Sequence, residues 1–69
     1  MRLETESGVV IETEEIVSVK VRERIQRIQG TPTLAYEVEV GLKNNGYIGV
    51  GTFKTKKQAE SYAYKIKEV

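Results

Sequence analysis

From Leu34 to Leu42 apolar and polar positions alternate without a break. Leu34, Tyr36, Val38, Val40 and Leu42 share one face; Ala35, Glu37, Glu39 and Gly41 share the other. A period of two is that of a half-buried strand, and it predicts a strand over 33–43. Residues 16–28 begin in the same way. Val17, Val19 and Val21 are expected to face the core, with Ser18, Lys20, Arg22 and Arg24 outward. Glu23 interrupts the inward set, so a bulge or the end of core contact is expected near it. Residues 47–53 form a third long strand. Two short strands, 2–5 and 9–12, flank a turn around Ser7-Gly8, and Gly30-Thr31-Pro32-Thr33 reads as the turn between the first two long strands.

Loop length sets the register of the last hairpin. A loop of Asn44-Asn45-Gly46 pairs Leu42 with Ile48 and Val40 with Val50, so the apolar faces agree. Such a loop takes a left-handed residue last, where Gly46 stands. Beyond the strands the period changes. Ala59, Tyr62, Ala63, Ile66 and Val69 form one stripe at helical spacing. Thr55 and Gln58 have the spacing of a capping box, which predicts a helix over 55–68. The fold class is therefore α+β: an antiparallel β-meander of about five strands packed on one C-terminal helix, with residues 1–69 in a single domain. Its expected core is Val17, Val19, Val38, Val40, Leu42, Ile48, Val50, Tyr62, Ala63 and Ile66.

Composition narrows the chemistry. The 69 residues include no Cys and no His, and no Asp either. Triads, thiol nucleophiles and zinc sites lose their usual residues. Ser7, Ser18 and Ser61 have no local base. Glu37 and Glu39 share a strand face about 7 Å apart, but cations stand opposite them and ion pairing is the expectation. No phosphate-binding glycine loop occurs. The reading is a protein that is not an enzyme, with no cofactor and no metal. No run approaches the ~20 apolar residues of a membrane span, and Met1-Arg2-Leu3-Glu4 lacks the apolar start of a signal peptide. A cytoplasmic location without membrane contact is expected.

Net charge is +1, but it is segregated. Residues 1–15 carry one Arg against five Glu, residues 16–36 are basic, and residues 43–57 hold four Lys and no acid. The strand over 16–28 would reach about 43 Å at ~3.3 Å per residue, whereas the helix would reach only about 22 Å. A ribbon rich in cations should therefore overhang, a shape that suits a nucleic-acid groove. The binding candidates are Lys20, Arg22, Arg24 and Arg27, with Lys43 and Tyr47 on the neighbouring strands. Gly41, Gly49 and Gly51 are expected on the outer face of the last hairpin, as positions of close approach for a partner.

The segment from Tyr47 to Ala63 resembles the last strand and helix of AP2-like domains, which include the arm-binding N-terminal domains of phage integrases. The matching core is Gly51-Thr52-Phe53-Lys54-Thr55 followed by Ala59 and Ala63. The resemblance implies three antiparallel strands on a C-terminal helix, with the sheet face away from the helix entering the DNA major groove. This chain has no Trp, and its equivalent face offers Lys43, Tyr47 and glycines beside Glu37 and Glu39. The added N-terminal hairpin is similar instead to small PH-like modules with no DNA role. Two functions follow as expectations. One is a small non-catalytic module that binds nucleic acid through the ribbon and outer sheet face. The other is a protein-interaction or assembly domain: a homodimer, or a small phage or viral inhibitor of a host complex.

Overall fold

Val38, Val40 and Val50 are fully buried, and the other elements are arranged around them. The computed structural model describes residues 1–44 and 46–67. In chain order the elements are β1 (Arg2–Glu4), β2 (Val10–Glu12), a short 3-10 turn (Thr13–Glu15), β3 (Ile16–Ile28), β4 (Thr31–Leu42), β5 (Tyr47–Phe53) and α1 (Lys56–Lys67). The fold is α+β, with five antiparallel strands and a C-terminal helix, as the alternation and the helical stripe predict. The strands divide into two sheets, β1–β2 and β3–β4–β5. Asn45, in the expected hairpin loop, and Glu68 and Val69, at the expected helix end, lie outside the described residues.

The helix lies across all three long strands. Ala59, Ala63 and Ile66 are buried against the sheet, with Tyr62 half-buried beside them. The small alanines let backbone approach backbone. Thr55 Oγ1 accepts from the Gln58 N–H at 3.2 Å; the reciprocal bond of a capping box is not formed. The β1–β2 hairpin closes the open side of the core. Ile11 is buried and Leu3 packs beside it. Its Glu6 N–H donates to Tyr62 Oη at 2.9 Å, and its Ser7 N–H donates to the Val50 carbonyl at 3.1 Å.

Four local expectations are corrected. First, the β3–β4 register shifts between Ile16 and Ser18. Val17 therefore leaves the core and is 62% exposed, while Ile16 packs inward. No shift occurs at Glu23, which pairs with Tyr36; contact with the core simply ends there, since every β3 residue from Arg22 onward is exposed. Second, the β3–β4 turn is the pair Gln29–Gly30, both at positive φ (53° and 81°), as a two-residue hairpin turn requires. Pro32 falls inside β4 rather than in the turn. Third, Val40 pairs with Ile48 and Gly41 with Tyr47, and Leu42 N–H donates to the Gly46 carbonyl at 2.8 Å. The register is two residues from the expected one. A shift of two preserves the faces, so Ile48 still packs on the core. Gly46 does not adopt the left-handed conformation expected of it. Fourth, an extra residue in β5 shifts the register between Val38 and Glu39. That bulge turns Gly51 and Phe53 to the core side and Thr52 outward.

Candidate binding surfaces

The outer sheet face, away from α1, gathers Lys20, Arg22, Arg24 and Tyr47. Its charges are laid out diagonally. Arg22 faces Glu37 and Arg24 faces Ala35 in the register, yet Arg22 Nη1 reaches Glu39 at 3.4 Å and Arg24 Nη1 reaches Glu37 at 2.9 Å. Both arginine side chains are 58% exposed, against 14% for Glu39 and 16% for Glu37. The carboxylates lie low on the central strand and the guanidiniums lie over them. Lys20 Nζ stands 4.8 Å from the centre of the Tyr47 ring, a cation–π distance.

One candidate is not brought to this face, and a second lies beyond the end of β4. Arg27 pairs with Pro32 with no register break after Arg24, so it lies on the opposite side of the ribbon. Lys43 sits in the β4–β5 turn, its N–H donating to the Glu15 carbonyl at 2.9 Å. The glycines accommodate the molecule's own side chains. A Cβ on Gly41 would meet Ser18 Oγ and the Tyr47 ring, and one on Gly49 would meet Glu37 Oε2 at 2.7 Å. One on Gly51 would meet the Phe53 ring and Glu6; that glycine, expected on the outer face, is on the core side.

Sequence reasoning overlooked a second surface. Beyond the reach of α1 the β3–β4 ribbon continues, and the molecule's longest dimension is 39 Å. On the helix side of this overhang Ile25 stands directly opposite Leu34, with exposures of 75% and 47%. Glu23 and Arg27 flank Ile25 on the same face. The signal was present in the sequence: Ile25 continues the Val19, Val21 parity and Leu34 heads the alternating run of β4.

Among the described residues no three His, Cys, Asp or Glu are grouped as a metal site, and no helix is long and apolar enough to cross a membrane. No protein-family model, curated protein or solved structure matches the chain.

Proposed function

We propose that this chain is a non-catalytic protein-interaction or assembly module acting through the overhanging end of the β3–β4 ribbon. The observation that carries the reading is the exposed Ile25–Leu34 pair. Among the described residues no helix lies above this apolar contact; exposed apolar surface rimmed by polar residues, here Glu23 and Arg27, is a feature of interaction sites. Two further features support it. The net charge of +1 supplies little long-range attraction for a polyanion. Arg22 and Arg24 are already engaged by Glu39 and Glu37. The test is affinity capture from the source organism with wild-type protein and Ile25→Glu/Leu34→Glu. Both sites are exposed, so the variant should melt as wild type does. Partners held by wild type and absent from the variant support the reading; an identical set of partners overturns it.

A second reading keeps nucleic acid as the ligand. It is favoured by Lys20, Arg22, Arg24 and Tyr47 on one face, with the cations lying over their carboxylates, and by the AP2-like strand and helix. In this case Lys20→Ala/Arg22→Ala/Arg24→Ala should weaken binding and flatten its salt slope by about 0.9 for each phosphate no longer neutralised. Titration of a labelled duplex at several salt concentrations measures both. An unchanged slope removes the outer face as the binding surface.

A further inference from the structure

The three-stranded sheet exposes three stretches of backbone edge, and they differ in how they are guarded. Leu42 N–H donates to Gly46 on the β5 side, and Lys43 N–H donates to Glu15 on the β3 side. Backbone groups alternate along an antiparallel strand, so even residues of β4 address β5 and odd ones address β3. Through the pairs Lys20↔Glu39, Arg22↔Glu37 and Arg24↔Ala35, the even residues of β3 are bonded to β4. Val19, Val21, Glu23, Ile25 and Arg27 therefore turn their N–H and C=O groups outward.

The β5 edge is occupied by Ser7, whose N–H and Oγ donate to the carbonyls of Val50 and Gly49 at 3.1 and 3.3 Å. Where β4 runs on past the end of β5, Pro32 takes an even position and removes a donor from that edge, a common protection against strand addition. The outer edge of β3 has neither device, and among the described residues no strand pairs with it.

Along that edge Glu23, Ile25 and Arg27 project from the helix-side face. Neither charge makes an ion pair among the described residues. The triplet is self-complementary. A second antiparallel β3, related by a two-fold axis through Ile25, sets Ile25 against Ile25 and each Glu23 against the other copy's Arg27. The β3–β4 register extends this across the sheet. An apolar row runs Leu34–Ile25–Ile25–Leu34, flanked on each side by a row Tyr36–Glu23–Arg27–Pro32. On the outer face Arg24 meets Gln26 and Arg22 meets Ile28, with no like charges opposed. Centring the axis on Glu23 would oppose Glu23 to itself and Arg22 to Arg24. Centring it on Arg27 would oppose two arginines. Both cost stability.

We infer that the chain self-associates through the open edge of β3, forming a two-fold symmetric, continuous sheet centred on Ile25; this rests on the protein-interaction reading and names the partner as a second copy. Such an interface is isologous and uses up the free edge, so assembly stops at the dimer.

The test is analytical ultracentrifugation of wild type, Glu23→Arg, Arg27→Glu and the double variant, from about 1 µM to about 1 mM. Both positions are exposed, and matching thermal melts establish folding. Each single change acts twice in a symmetric interface and should weaken the dimer about tenfold or more, while the double variant should return to within about threefold of wild type. Amide exchange gives an independent readout. Glu23, Ile25 and Arg27 should exchange freely in dilute protein and become protected in concentrated protein, with Arg22 and Arg24 protected in both. Wild type that stays monomeric throughout overturns self-pairing. If such a monomer still captures another protein through Ile25 and Leu34, the interaction reading stands without the dimer. A dimer insensitive to the single changes, or not rescued by the double, overturns the Ile25-centred register.

Discussion

Ile16 and Val17 are adjacent and similarly apolar, yet one packs on the core and the other points into solvent. A single extra residue in β3 decides between them, because a one-residue slip exchanges the two faces of a strand. Their substitutions should separate cleanly. Val17→Ala is expected to change stability by no more than about 0.5 kcal/mol, as for surface sites generally. Ile16→Ala should cost about 1–2 kcal/mol, below the 2–5 of a fully buried isoleucine, since Ile16 is only partly buried. Urea titration of the two variants checks this, and equal losses would place the bulge elsewhere. Gly51 belongs to the same lesson: the bulge in β5, not the residue type, assigns its face.

Among elements, the β1–β2 hairpin and the 3-10 turn depend most on local polar contacts. The Met1 amine donates to Glu14 Oε1 at 2.7 Å, and Thr13 N–H donates to the Met1 carbonyl at 2.8 Å. The bond to Glu14 raises the amine above its ordinary value of 8.0. The same bond holds the Glu14 carboxyl below its ordinary 4.5. A raised amine contributes stability that is full below its unfolded value and lost as pH rises through its folded value. A lowered carboxyl contributes stability present above its unfolded value and lost as pH falls through its folded value. The pair should therefore add to stability between the two ordinary values, with decline on either side. Both groups are fully exposed, so the effect is small. Thermal melts across pH should show the alkaline decline flattened in Glu14→Gln; an identical profile would mean the bond contributes nothing.

At the scale of the whole molecule, core and overhang should differ in stability. The helix and the N-terminal hairpin cover the sheet where Val38, Val40 and Val50 are fully buried. Past Glu23, opposite the last β4–β5 pair Tyr36↔Phe53, the β3–β4 ribbon is held mainly by its own ladder, and every β3 residue from Arg22 to Ile28 is exposed. Local opening should therefore be easier towards the tip. In dilute protein, β3 amides bonded to β4 should exchange progressively faster from Lys20 through Arg24 to Gln26 and Ile28. Uniform protection along the strand would show that the ribbon opens only with the core. The overhang also explains why the exposed surface of this small domain includes a directly opposed apolar pair: α1 begins after β5 ends opposite Tyr36 and runs back over the core, with Ile66 and Lys67 beside Ile16 and Val19, away from the overhang.

The alternating run of β4, the helical stripe and the turn residues are local patterns. They suffice for the α+β class, the position of each long element and most of the core, but Ile11 and Ala35, both buried, are not among the residues they place inside. Of the ten residues expected inside, only Val17 is found in solvent. The same patterns place Lys20, Arg22, Arg24 and Tyr47 on one face and predict that the ribbon overhangs. The two bulges, the hairpin registers and the faces of Arg27 and Gly51 are settled in the folded molecule instead. These depend on how two strands count against each other, and cross-strand pairing leaves no period along either strand alone. The guarding of the sheet edges is of the same kind. Ser7 meets β5 from more than forty residues away in the chain, and Pro32 guards β4 only because β5 ends at Phe53. The open edge of β3 becomes visible once those contacts are formed.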